Sequence, residues 1–267
     1  MGTTGRTARH DFTANDVVDV INPLGPGDFV LVCEHASNAI PAEFNNLGLT
    51  AADLETHIAW DIGALPVARE MARLLDAPLV APRVSRLVVD CNRAMDALDL
   101  VPVRSETVDI PGNAGLDDDQ RRERIERYSR LFHDAVSACL DVRTSGLRPP
   151  VLLTIHSFTP VYAGRKRDVQ LGILHDTDTR FADSLLAALE AEVPLVIRRN
   201  EPYGPRDGVA HTLATHGIRR GLLNAMIEIR NDLIASPDAQ RVMAALLSYS
   251  AVKALAAEAA TVSEDIH

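Results

Sequence analysis

Residues Asp28–His35, DFVLVCEH, decide the fold. The run is apolar and rich in β-formers. It is entered through the breaker string 23–27 (PLGPG) and left through the polar cluster Glu34-His35-Ala36-Ser37-Asn38. A strand without polar alternation buries both of its faces, as strands do in parallel sheets covered by helices. Similar runs recur at Pro78–Pro82, Arg86–Asp90, Val151–His156, Val169–Leu174, Pro194–Arg198 and Asn224–Ile229. Helical periodicity is predicted between them, over Ala51–Leu75, Asp117–Val142, Asp178–Glu192, Val209–Gly217 and Ala239–Ala260. Strands alternating with helices predict an α/β fold: one domain over residues 1–267, with a mixed, largely parallel sheet and helices on both faces. Residues 1–24 are expected to form an N-terminal extension and residues 262–267 a frayed tail.

The chain has 267 residues, 46% of them hydrophobic, enough for a sizeable core. Its 37 acidic against 27 basic residues give a net charge of -10, which leaves no cationic footprint for nucleic acid. Only Lys166 and Lys253 are lysines, so positive charge is carried by guanidinium groups. These suit fork-like recognition of a carboxylate, although codon bias accounts for the pattern equally. Cys33, Cys91 and Cys139 are far apart with no C-x-x-C motif, as expected of buried thiols in a reducing compartment. The N-terminus has no signal-peptide core and no apolar run approaches the ~20 residues of a membrane span. The expectation is a cytoplasmic protein with no membrane partner, its oligomeric state left open. The absence of G-x-G-x-x-G, P-loop and G-x-S-x-G strings argues against nucleotide cofactors and a serine nucleophile.

Ligands of open α/β sheets bind beyond the carboxyl ends of strands, where this chain places Glu34-His35, Asp90-Cys91-Asn92-Arg93, His156-Ser157 and Glu228 with Arg230. Each polar group there needs a partner or a metal. His57 and Asp61, four apart in an expected helix, would share one face. The alternatives are bland ones: strand-end histidines that are merely hydrogen-bonded, a His57–Asp61 bond supporting Trp60, and a turn pairing an arginine with Asp90. The string 200–208, NEPYGPRDG, reads as a solvated loop or as a substrate lid. Arg165-Lys166-Arg167 attracts an anion or is a solvated turn.

The strings VCEHASNAIP, HIAWDIGA, SRLVVDCNR, TIHSF, NEPYGPRDG and IEIRNDLI, in this order over about Asp28 to Ile234, resemble those of the N-formylglutamate amidohydrolase family. That family is more remotely similar to zinc carboxypeptidases and to succinylglutamate and aspartate deacylases. The resemblance implies their fold and a metal-dependent amidohydrolase that removes a short N-acyl group from an acidic amino acid, giving formate and glutamate from N-formylglutamate. It also implies zinc, or another divalent metal, on His35 and His156, with Glu228 as general base. Asn92 and Arg93 would hold the substrate α-carboxylate. Tyr203 and Arg206 would bind substrate from the loop, and Arg230 or Arg206 would meet a second carboxylate or the oxyanion. The relatives use His-x-x-Glu, whereas the fourth residue here is Asn38, a weaker donor. Asp61 is the preferred substitute. Hydrolysis of another N-acyl amino acid or small peptide fits the same residues. A small-acid-binding protein with degraded metal ligation is the reading from outside enzymes.

Overall fold

Alternate residues of the strand Phe29–Val32 feed two different cores. Phe29 and Leu31 pack on one side of the sheet, Val30 and Val32 on the other, and all four are buried. That two-sided burial is why the sequence shows no alternation there. The computed structural model describes residues 14–144 and 148–264. Its central sheet comprises β1 (Val18–Ile21), β2 (Phe29–Val32), β3 (Leu79–Pro82), β4 (Val151–Phe158), β5 (Leu171–Leu174), β6 (Ile197–Arg199) and β7 (Asn224–Arg230). The spatial order is β1-β3-β2-β4-β7-β5-β6. The four strands β3, β2, β4 and β7 run parallel, β1 is antiparallel to β3, and β5 is antiparallel to β7 but parallel to β6.

Three helices cover one face: α1 (Ala64–Leu74), α3 (Arg180–Glu192) and α4 (Pro237–Glu264), burying Met71, Phe181 and Leu247 among others. The other face is covered by α2, which runs as Asp118–Arg124, a π-helical Ile125–Arg130 and Leu131–Thr144, with Phe132, Val136 and Leu140 inward. A capping box in which Asp117 and Gln120 bond each other's backbone starts α2. Among the described residues α4 is the one helix long and apolar enough to cross a membrane, by length and composition. Its Met243, Ala244, Leu247, Ala251 and Ala254 are buried in this core.

Four expectations are corrected. β1 belongs to the sheet, so the presumed N-terminal extension contributes an edge strand from Val18. The terminal helix continues to Glu264, and the remainder of the expected frayed tail lies outside the described residues. Arg86–Asp90 is no strand: Ser85 Oγ accepts from Leu87 N and donates to Ala59 O, bending the chain into a turn whose Leu87, Val88 and Val89 are buried. The helix expected over Ala51–Leu75 is interrupted. It forms at Ala51–Leu54, stops, and restarts at Ala64 after Gly63, whose φ is 84° and where a Cβ would lie 2.9 Å from Ile234. Only glycine makes that turn without strain or collision.

Candidate active site

The interruption before α1 places Asp61. Its backbone N–H donates to His35 O at 3.0 Å, tying the loop to the segment that leaves β2. Asp61 Oδ2 then lies 2.8 Å from His156 Nδ1 and 3.3 Å from His35 Nδ1, and accepts from Ser157 N at 3.2 Å. These three side chains are all buried, and their donor atoms lie within 4.8 Å of one another. His35 and Asp61 reach the site from loops, whereas His156 comes from the central strand β4.

The remote nitrogen of each imidazole faces another carboxylate. His35 Nε2 is 2.8 Å from Asp90 Oδ1, and His156 Nε2 is 3.0 Å from Glu34 Oε2. The Asp90 hydrogen bond fixes the His35 ring, and the Glu34 carboxylate sets its charge against His156 as an ion pair outside hydrogen-bond geometry, leaving Nδ1 of each ring directed at the centre. Arg86 bridges the edge, with Nη2 2.9 Å from Asp90 Oδ2 and Nη1 3.5 Å from Asp61 Oδ1. Burial alone would raise the carboxyl pKa values of Asp90 and Glu34. The positive field of His35 and Arg86 instead holds Asp90 well below the usual range, and that of His156 lowers Glu34. Burial opposes charge on His156 too, but Glu34 and Asp61 outweigh it and raise the imidazole well above its ordinary value.

The donor chemistry fits a divalent cation. Two imidazoles and one carboxylate make a common three-ligand set for catalytic zinc. Three buried carboxylates, Glu34, Asp61 and Asp90, share two guanidinium groups, Arg86 and Arg93, the second of which also pairs with Asp99, so with neutral imidazoles the cluster keeps a net negative charge to be offset. Buried charge of that size requires a counter-charge.

Glu228 stands opposite His156 in the register of β7 and β4. It is 5% exposed, and its Oε2 is buried without a hydrogen-bond partner. Burial, assisted by the negative charge of Asp61, pushes its carboxyl up to about 7. Beside Glu228 in the neighbouring strand β5, Gly172 leaves room for the backbone of the loop that follows β6: a Cβ there would lie 2.0 Å from Glu201 O. That close approach seats Tyr203 over the site.

A cavity of ≈ 610 Å³ opens above these groups, lined by His35, Asp61, His156, Glu228, Arg93 and Tyr203 among others. Three expected residues are placed elsewhere. Asn92 is buried, donating to Val209 O at 2.5 Å and accepting from Thr212 N at 3.1 Å, so it braces the loop instead of facing the cavity. Arg206 is exposed and outside the lining. Arg230 ends β7, and its guanidinium turns to Asp232 and to the carbonyls of Arg167, Asp168 and Val169, away from Glu228. His57 shares no helix face with Asp61; it lies 3.0 Å from Glu106 instead. Asn38 donates to Leu54 O and Glu55, clear of the three donors.

Glu34, Asp90 and Arg86 were not expected in these roles. The signal for Glu34 was its place beside His35, from which it reaches the other histidine. Asp90 was assigned a turn, which it does form by accepting from Asn92 N at 2.9 Å, while its other contacts serve the site.

The profile of the N-formylglutamate amidohydrolase family matches residues 27–235. The chain belongs to that family. It is an amidohydrolase acting on an N-acyl amino acid. The crystal structure of gene product Atu2144 from Agrobacterium tumefaciens is 50% identical, with a TM-score of 0.89 over 93% of this chain and 99% of that one. An N-formylglutamate amidohydrolase from Ralstonia eutropha JMP134 shares the fold at 20% identity, with a TM-score of 0.61 over 88% of this chain and 97% of that one. A metallo-carboxypeptidase from Burkholderia cenocepacia aligns at 13% identity and a TM-score of 0.38, over 92% of this chain and 61% of that one. No curated protein matches the sequence.

Proposed function

We propose that this amidohydrolase cleaves the amide of a short N-acyl acidic amino acid, with N-formylglutamate as substrate and formate and glutamate as products. The observation that carries the reading is the convergence of His35 Nδ1 and His156 Nδ1 on Asp61 Oδ2, beside the unpartnered carboxylate oxygen of Glu228. His35, His156 and Asp61 would hold zinc or another divalent metal. Bound there, such a cation supplies Lewis-acid chemistry, lowering the pKa of water toward ~7 and polarising a carbonyl oxygen.

The remaining steps belong to the side chains. Glu228 accepts the proton of the attacking water on Oε2 and delivers it to the leaving nitrogen, a double role suited to a carboxyl near neutrality. Asp90 and Glu34 keep the imidazoles oriented. Arg93 reaches the cavity with its Nε 3.1 Å from Asp99, a partner whose side chain is 59% exposed and free to yield to a substrate carboxylate. Formate release from N-formyl-L-glutamate by the purified chain tests the reading. Turnover supports it, and no release under metal-replete conditions contradicts it.

A further inference from the structure

Four arginines line the cavity: Arg86, Arg93, Arg104 and Arg167. Arg86 faces Asp61 and Asp90, Arg93 faces Asp90 and Asp99, and Arg104 faces Asp109. Arg167 has no carboxylate partner among the described residues; its side-chain hydrogen bonds go to Tyr203 Oη at 2.9 Å and Thr159 O at 3.5 Å. Its guanidinium carbon lies 4.5 Å from the ring centroid of Tyr162 and 4.8 Å from that of Tyr203. Cation–π contact with these rings, and with Phe158 at 5.6 Å, positions the guanidinium without neutralising it.

The backbone beneath is fixed as well. Arg167 N donates to Pro160 O at 2.9 Å, closing the hairpin Val161–Tyr162 and Arg165–Lys166, and Arg230 Nη1 donates to Arg167 O at 3.1 Å. A planar cation held in place, half-buried and lacking an anion is built to receive one, and a guanidinium matches a carboxylate through two parallel hydrogen bonds.

We infer that Arg167, clasped between Tyr162 and Tyr203 with Arg230 bracing its backbone, receives the side-chain carboxylate of the substrate and sets the enzyme's preference for acidic amino acids. The inference rests on the proposed function in that Arg93 takes the α-carboxylate of the same molecule. Arg167 is a specificity residue and takes no part in proton transfer.

Calorimetric binding of the two amino acids L-glutamate and L-glutamine tests it, because they differ at the group Arg167 would read. The wild-type chain is expected to bind glutamate more tightly. Arg167→Gln should weaken glutamate by about 10–100-fold and leave glutamine within roughly threefold, the range for hydrogen bonds to a charged group. Arg167→Lys keeps the charge and most of the packing but loses the fork, so its glutamate-to-glutamine affinity ratio should fall by about threefold or more. A wild-type chain that does not distinguish the two ligands, equal losses on both in a folded Arg167→Gln, or an unchanged ratio in Arg167→Lys would each overturn the assignment. Formate release by the same wild-type sample is scored separately. Its absence overturns the amidohydrolytic reading while the ligand preference is judged by binding alone.

Discussion

The carboxylate of Glu34 stands 3.0 Å from His156 Nε2, on the side of the ring remote from Asp61. Glu34 is 1% exposed, so it acts on the site only through that imidazole and its immediate buried neighbours. A carboxylate in this position orients a metal-binding histidine and raises its basicity. Glu34→Gln is therefore expected to lower divalent-metal affinity by about 10–100-fold with the fold retained, read by competition against a chromophoric chelator. Unchanged affinity would reduce Glu34 to a buried structural charge.

Glu228→Gln preserves size and most hydrogen-bonding capacity but cannot take a proton. It should lower kcat for N-formylglutamate by about 10²–10⁴-fold with little change in KM or thermal stability. Near-normal turnover would assign the proton transfer to another group.

Much of this arrangement is legible in the sequence, and the limits are physical. The strands at Phe29–Val32 and Val151–Phe158 announce themselves because both faces are buried, leaving uninterrupted apolar runs. Arg86–Asp90 has the same apolar content without being a strand, because burial and not strand pairing selects its residues. His35 follows the end of β2, and His156 and Glu228 lie in the last three residues of β4 and β7, so the strand-end rule finds all three. Asp61 is brought to them by a loop, not by the helical spacing to His57 that first suggested it. The partnerships of Glu34 with His156 and of Arg167 with Tyr162 and Tyr203 are tertiary, and no local period encodes them. Arg230 shows the opposite failure: two-residue spacing aims it with Glu228, but three nearby carbonyls draw it away at the strand end.

Gly172 admits Glu201 O to a place where a Cβ would be 2.0 Å away. Gly172→Ala must shift backbone and should cost about 1–3 kcal/mol in urea unfolding, with a loss of kcat/KM as Tyr203 moves. Wild-type stability would show that the loop is free to retreat.

His133 Nδ1 and His216 Nε2 are 2.9 Å apart, away from the catalytic donors. Burial, then the neighbouring imidazole, pushes His133 down to about 3; burial, then Arg220, pushes His216 down to about 4. The unfolded chain, with histidines near ~6.5, binds protons first as the pH falls. Their contribution to stability is therefore complete above ~6.5 and is lost as the pH drops toward the folded-state values. Tm measured between pH 7.5 and 4.5 should fall, and fall less steeply in His216→Gln. An identical slope in the variant would remove these histidines from the acid response.

The metal content of the whole chain, purified without chelator and measured by elemental analysis beside its formate release, decides whether His35, Asp61 and His156 hold a catalytic cation. About one divalent ion per chain is expected, lost together with activity on chelation and restored by zinc, with little metal in His156→Ala. Undiminished hydrolysis of N-formylglutamate by metal-free protein would contradict it.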